Sequence, residues 1–163
     1  MRILFTADIF AQTGRRMASI HIPALLRERS VDFVIANGEN AAGGFGLTNN
    51  LVGKLRSYGV DVITSGNHIW DRKEFVPQLD RNNRVLRPFN YPPGAPGQGS
   101  TIAESHSGHK VAVLCLQGRT SMTSTDCPFR LGKAEVERLR EQTPIVFIDF
   151  HAEATAEKVA LGW

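Results

Sequence analysis

Six polar residues of the kinds that bind metal ions or move protons occur at four places along the sequence. Each place comes directly after a short apolar run. In chain order the residues are Asp8, the pair Glu39-Asn40, the pair Asn67-His68, and His151. Carboxylate, amide and imidazole groups together suit Mn, Fe or Zn in mixed oxygen and nitrogen coordination. The pattern therefore predicts a metal site, provided that the fold brings the four places together.

Glu39 has two carboxylate oxygens and can bridge two cations. Two cations about 3.5–4 Å apart hold the attacking oxygen and the phosphoryl oxygen of an in-line displacement. They also acidify a bridging water to hydroxide near neutral pH. His68 stands beside the candidate ligand Asn67 and can donate a proton to the leaving oxygen. These residues thus predict hydrolysis of a phosphate ester by hydroxide, with His68 as the general acid.

Taken singly, each residue has a structural alternative. Asp8 can cap a following helix, Glu39-Asn40 can form a turn, and a lone histidine is more often structural than a ligand. The glycine-rich run 43–46 lacks the Gly-Lys-Ser/Thr ending of a phosphate-binding loop, so it predicts a tight turn that brings backbone close to the site. The occurrence of all four places at the ends of apolar runs favours one shared site.

The apolar runs have the length and the Val, Ile, Leu and Phe content of strands buried on both faces. They cover residues 3–7, 31–37, 60–65, 111–116 and 145–150. Amphipathic segments between them predict helices over residues 14–29, 48–58 and 133–141, with a further helix beginning near residue 154. This alternation is typical of an α/β layered fold. The carboxyl ends of parallel strands meet at a ligand crevice, so the six polar residues are expected to converge there.

Residues 87–100 are too rich in proline and glycine for a helix. A disordered linker is one interpretation, and an ordered loop anchored by Phe89 and Tyr91 is the interpretation favoured here. The remaining histidines, His21, His106 and His109, are predicted to lie at the surface.

The chain of 163 residues is expected to form one domain over residues 1–163 with a single core. A net charge of +3 gives only weak support to a nucleic-acid-binding module, and no stable nucleic-acid complex is expected. The two cysteines, Cys115 and Cys127, cannot form a four-thiolate zinc site. No apolar stretch approaches the roughly 20 residues of a membrane span. We therefore expect a soluble, cytoplasmic protein.

Five motifs carry a resemblance to a known family. They are D-I-F-A-Q-T-G-R-R, A-N-G-E-N-A-A-G-G-F-G, S-G-N-H-I-W-D, L-R-P-F-N-Y-P-P-G-A-P-G and V-F-I-D-F-H-A-E-A-T-A-E-K-V-A-L-G-W. In that order they resemble the YmdB-type branch of the calcineurin-like metallophosphoesterases. The resemblance implies an α/β/β/α four-layer sandwich, a binuclear centre of Fe or Mn (Zn or Mg being alternatives), and phosphodiesterase activity that includes 2′,3′-cyclic nucleotides.

The resemblance also implies a role for each candidate residue. Asp8 and Asn40 would ligate the first metal, Asn67 and His151 the second, and Glu39 would bridge them. His68 would be the general acid.

The sequence departs from the family pattern at two places. Ala11 stands where the family loop D-I-V-G has a glycine, a change expected only to stiffen the loop. The chain also lacks the G-T-H-T-H motif, so we expect a sandwich truncated after the first sheet and its helices. The alternative function is therefore a degenerate family member with an incomplete metal site that acts as a non-catalytic binding or oligomerising protein. A homo-oligomer is the expected assembly of the full-length type.

Overall fold

The computed structural model describes all 163 residues and contains two three-stranded sheets. The first sheet is parallel, in the order β1 (Ile3–Thr6), β2 (Phe33–Asn37) and β3 (Val62–Thr64). Its strands are connected by helices α1 (Ala11–Arg29) and α2 (Asn49–Ser57). Such β-α-β connections carry every strand in the same direction, so all three strands end at the same edge.

The second sheet has the order β4 (Ser100–Glu104), β5 (Lys110–Gln117) and β6 (Val146–His151). β4 runs antiparallel to β5, whereas β5 and β6 are parallel and joined through α3 (Pro128–Arg140). The last helix is α4 (Thr155–Gly162), and two short 3-10 helices cover Asn67–Trp70 and Val76–Arg81. None of the helices combines the length and the apolar character that a membrane crossing requires.

Alternate residues of the strands face different layers, as the period of a strand dictates. In β2, Val34 and Ala36 pack into the cluster that contains Ile22 of α1 and Leu55 of α2. Their neighbours Phe33 and Ile35 face the other way, into the core between the sheets with Val113 and Cys115 of β5. The outer face of β5 packs against Leu139 of α3. The layers are therefore α1 and α2, the first sheet, the second sheet, and α3 with α4.

The predicted α/β/β/α sandwich is thus confirmed, with one difference in extent. The expectation that the chain stops after its first sheet is wrong, because β4, β5 and β6 form three strands of a second sheet. β4 was not predicted, since its sequence S-T-I-A-E is short and only two of its residues are apolar. An apolar run also does not reveal to which sheet its strand belongs. β5 and β6 were therefore predicted as strands but were not assigned to a second sheet.

Helix boundaries follow the local signals in the sequence. The hydroxyl of Thr48 accepts a hydrogen bond from the N–H of Leu51 at 3.3 Å and so caps the start of α2, where the predicted helix begins. Gly59 follows this helix with φ of +102°, a conformation that glycine adopts without steric cost. α3 begins at Pro128, five residues before the predicted start, because proline is well suited to a first helical turn, where no N–H is needed.

The segment 87–100 is an ordered loop, as predicted. The N–H of Phe89 donates to the carbonyl of Cys115 at 2.8 Å, and the hydroxyl of Tyr91 donates to Gln117 Oε1 at 3.0 Å. A third anchor, Arg87, was not predicted from the sequence. Its guanidinium is buried and bonds four carbonyls of the loop, including Pro88 O at 2.8 Å. The loop is therefore held against the edge of β5.

Ala11 adopts φ of +47°, in the left-handed region. The substitution of the expected glycine therefore does more than stiffen the loop, because this conformation costs a side chain about 1–2 kcal/mol. Glycine removes this cost but gives the unfolded chain about 0.4–1 kcal/mol of additional conformational freedom, which opposes the gain. We therefore expect Ala11→Gly to raise the free energy of unfolding by roughly 0.5–1 kcal/mol. Urea denaturation measures the change. The control, Ala24→Gly inside α1, is expected to lose about 1 kcal/mol, and a loss at residue 11 would contradict the prediction.

Candidate active site

Three of the predicted residues form one hydrogen-bonded chain across the two sheets. Glu39 follows β2 in the first sheet, and its side chain is 1% exposed. Its Oε1 lies 2.9 Å from Nδ1 of His151, the last residue of β6 in the second sheet. The other ring nitrogen of His151, Nε2, lies 2.7 Å from Oδ1 of Asn67, which follows β3. The carboxyl ends of the two sheets therefore meet at this cluster.

Asp8 and Asn40 form a second group at the same end of the first sheet. Nδ2 of Asn40 donates to Oδ2 of Asp8 at 2.7 Å. The backbone keeps the two loops together, because the N–H of Ile9 donates to Asn37 O at 3.0 Å and the N–H of Ala11 donates to Asn40 O at 2.9 Å. Asp8 is exposed and does not cap α1, whose first turn has no side-chain cap. The helix-cap alternative for Asp8 is therefore wrong.

His68 lies at the rim of the cluster. Its Nδ1 is 2.7 Å from Oδ2 of Asp71, and its side chain is 30% exposed. Its backbone N–H donates to Oε2 of Glu39 at 3.4 Å, and its ring meets that of Phe45 edge-on at 5.0 Å. The Asp71 carboxylate thus orients the imidazole and leaves Nε2 as the nitrogen that can exchange a proton. Asp71 was not predicted from the sequence, although its spacing of three from His68 in N-H-I-W-D was a usable signal.

Asp149 is a second residue that sequence reasoning missed. It is buried between the sheets, where it accepts hydrogen bonds from Asn37 Nδ2 at 3.0 Å and from Thr64 Oγ1 at 2.5 Å. Burial raises the pKa of Asp149 above its usual value, and the charge of Glu39 adds to this, although the two hydrogen bonds oppose it. Asp149 thus ties β6 to the ends of β2 and β3. A charged residue inside the apolar run V-F-I-D-F was the available signal.

The electrostatics of His151 reflect its carboxylate neighbours. Burial by itself lowers the pKa of this imidazole, but the hydrogen bond and charge of Glu39, with Asp149 and Glu153, outweigh it and hold the pKa above the usual value. The negative charge of these carboxylates therefore favours the protonated form of the His151 ring. The same field would attract a metal ion.

The glycine-rich loop brings backbone close to the site, as predicted. The N–H of Gly44 donates to Asn40 O at 3.0 Å, and the N–H of Gly46 donates to Glu39 O at 2.5 Å. Arg72 fastens the loop from outside, with Nε 3.0 Å from Phe45 O and a second bond to Ala42 O at 2.5 Å. The loop therefore fixes the backbone of Glu39 and Asn40.

Glycine is needed at position 66 because neighbouring side chains leave no space for a Cβ. A Cβ at this position would lie 2.6 Å from the ring of His151 and also overlap the carboxylate of Glu39. We expect Gly66→Ala to destabilise the fold by about 1–3 kcal/mol, as overpacking does, and to displace both side chains. Urea denaturation and Mn²⁺ titration measure the two effects. The control is Gly53→Ala in α2, where nothing lies within 4 Å; destabilisation of both variants to the same degree would contradict the steric argument.

The donor set fits a cation that accepts both oxygen and nitrogen. No group of three histidine, cysteine, aspartate or glutamate side chains is close enough to hold a metal ion, so a cation here would also use amide oxygens. Asn67 Oδ1 already contacts Nε2 of His151, and the buried carboxylate of Glu39 contacts its Nδ1. This mixed set suits Mn, Fe or Zn. The first sphere could thus be assembled from residues already in contact.

Comparison with known proteins identifies the family of the chain. The family model described as YmdB-like protein matches residues 4–163. A 2′,3′-cyclic-nucleotide 2′-phosphodiesterase of Bacillus subtilis (strain 168) is 45% identical over 163 residues, which is 100% of this chain and 61% of that protein. The chain therefore spans about three fifths of the length of this relative.

Two solved structures share the fold. A hypothetical protein from Thermus thermophilus superimposes with a TM-score of 0.86 at 44% identity, over 99% of this chain and 62% of that one. A novel phosphatase from Mycoplasma pneumoniae gives a TM-score of 0.87 at 31% identity, over 98% of this chain and 58% of that one. The match of motifs, sequence and fold over almost every residue leads to one conclusion: the chain belongs to the YmdB-like family.

Proposed function

We propose that this protein is a metal-dependent phosphodiesterase that hydrolyses phosphodiesters such as 2′,3′-cyclic nucleotides. The observation that carries the proposal is the bonded cluster of Glu39, Asn67 and His151 with His68 at its rim. The Bacillus subtilis relative, a 2′,3′-cyclic-nucleotide 2′-phosphodiesterase at 45% identity, supports the reaction class and the substrate. Buried acceptors beside an oriented imidazole are what the hydrolysis of a phosphate ester requires.

The arrangement of donors supports a site for two cations, and the resemblance to the metallophosphoesterases favours Fe or Mn over Zn or Mg. Asp8 and Asn40 would hold one cation and Asn67 with His151 the other. Glu39 is next to Asn40 in the sequence and bonds His151, so it would contact both. When bound, such a pair of cations acidifies water and stabilises the charge that develops on the phosphoryl oxygens. The roles of the protein are to orient these donors and to keep Glu39 away from bulk water.

His68 would supply the proton to the leaving oxygen. Its Nδ1 faces Asp71, so Nε2 is the nitrogen left to transfer a proton. The ring of Phe45 meets the imidazole edge-on, with 5.0 Å between the ring centroids. General acid catalysis of this type contributes about 10²–10⁴-fold.

The test is hydrolysis of 2′,3′-cyclic AMP by the purified chain, monitored by ³¹P NMR, with added Mn²⁺ and after metal removal with EDTA. We expect adenosine 3′-monophosphate to form only when metal is present, since the named relative is a 2′-phosphodiesterase. The general substrate bis-p-nitrophenyl phosphate is measured in parallel. A folded chain that binds Mn²⁺ and hydrolyses neither compound would refute the proposal.

A further inference from the structure

A polar groove opens directly beside the candidate site. It has a volume of about 220 Å³ and shares Asn67 with the cluster. Its other walls come from the β5–α3 loop and from the segment after β6: Ser121, Met122, Thr123 and Glu153. Pockets that bury a whole drug-sized ligand have roughly 300–1,000 Å³. The groove is therefore large enough for only one part of a substrate whose reacting part lies over the cluster.

The loop that forms the groove is anchored at both ends. At its start, the carboxylate of Glu157 accepts hydrogen bonds from the N–H groups of Arg119 and Thr120 at 3.0 and 3.1 Å. At its end, Asn90 Nδ2 donates to Thr125 Oγ1 and to Asp126 O, both at 2.9 Å. Between these anchors, Ser121 has φ of +59°, a conformation that the surrounding structure must hold in place. The wall is thus built in advance of any ligand.

The chemistry of the lining selects a particular kind of group. No lysine or arginine lines the groove, so it offers nothing that pairs with a second phosphate. It offers instead two hydroxyls, from Ser121 and Thr123, and the exposed carboxylate of Glu153. A carboxylate accepts hydrogen bonds from hydroxyl and amino groups. A thioether such as that of Met122 packs favourably against an aromatic ring.

We propose that this groove binds the nucleoside of a cyclic nucleotide while its phosphate lies at the metal-binding cluster. Glu153 accepts a hydrogen bond from a ribose hydroxyl or a base amino group, and Met122 packs on the base. The proposal rests on the phosphodiesterase function proposed above and adds the place and the residues of substrate recognition. It also explains how a leaving oxygen that stays attached to the nucleoside is kept beside the site after cleavage.

The first test uses the methionine methyl groups. The chain has three methionines, and only Met122 lines the groove, whereas Met17 lies near Asp8 on the side of α1. With ¹³C-methyl methionine and Mg²⁺ present, titration of adenosine 3′-monophosphate is expected to shift the Met122 signal through the ring current of the base, with Met1 and Met17 unchanged. A shift of Met17 alone, or of no methionine at saturation, would overturn the proposal.

The second test is kinetic. We expect Glu153→Gln to lower the ratio of kcat/KM for 2′,3′-cyclic AMP to that for bis-p-nitrophenyl phosphate about tenfold, through KM, because the hydrogen-bond acceptor loses its charge. Glu137→Gln on the exposed side of α3 removes the same charge and should leave the ratio unchanged. A Glu153→Gln ratio equal to that of wild type would refute this role.

The two proposals fail in different ways. If neither substrate is hydrolysed by the folded, metal-supplied chain, the phosphodiesterase function is wrong. If both are hydrolysed and neither the Met122 signal nor the Glu153→Gln ratio changes, the function stands and the groove proposal is wrong.

Discussion

Replacing Glu39 with glutamine is expected to abolish metal-dependent turnover and to weaken Mn²⁺ binding by at least about 100-fold. Removal of groups that only support a metal ligand already costs about 10–100-fold, and Glu39 is the buried carboxylate at the centre of the cluster. Its Oε1 bonds His151 at 2.9 Å, and its side chain is 1% exposed. Glutamine has the same shape but carries no charge, so the effect would report electrostatics and ligation rather than a cavity.

The measurement is isothermal titration of Mn²⁺ together with hydrolysis of bis-p-nitrophenyl phosphate. Circular dichroism and a urea titration establish that the variant is folded. Glu74→Gln serves as the matched control because Glu74 is exposed in the segment between the two 3-10 helices. Unchanged Mn²⁺ stoichiometry and affinity in a folded Glu39→Gln protein would remove this residue from the metal site.

The second large effect is expected for His68→Gln, which should lower kcat for 2′,3′-cyclic AMP by about 10²–10⁴-fold. The loss should be smaller for bis-p-nitrophenyl phosphate, because p-nitrophenolate leaves without a proton whereas a ribose alkoxide does not. KM and Mn²⁺ affinity should change little. His68 makes its side-chain bond to Asp71 at the rim rather than to Glu39, so its removal leaves the cluster of donors in place.

Comparison of the two substrates is the decisive measurement for His68. His109→Gln is the matched control, since His109 is exposed, as are His21 and His106, in agreement with the prediction for all three. Equal losses of kcat on both substrates would contradict proton donation to the leaving oxygen. A loss confined to Mn²⁺ affinity would instead assign His68 to metal binding.

The local structure that positions the site was accessible from the sequence. The five predicted strands all exist, and each candidate residue follows or ends one of them because apolar runs and strand ends are local properties. The cap at Thr48 and the glycine-rich turn at 43–46 could likewise be predicted, since they depend on residues a few positions apart. The motifs also identified the family. The cytoplasmic location, the homo-oligomeric state and the roles of individual metal ligands stay predictions.

What the tertiary structure alone decided is which strands share a sheet and how the sheets face each other. Glu39 and His151 meet although they belong to different sheets and are separated by more than a hundred residues, and Asp149 reaches Asn37 across the same interface. Gly66 is needed only because these side chains occupy the space beside it. Periodicity reports that a residue is buried but not against what, because burial is a property of one segment whereas a contact depends on the packing of two.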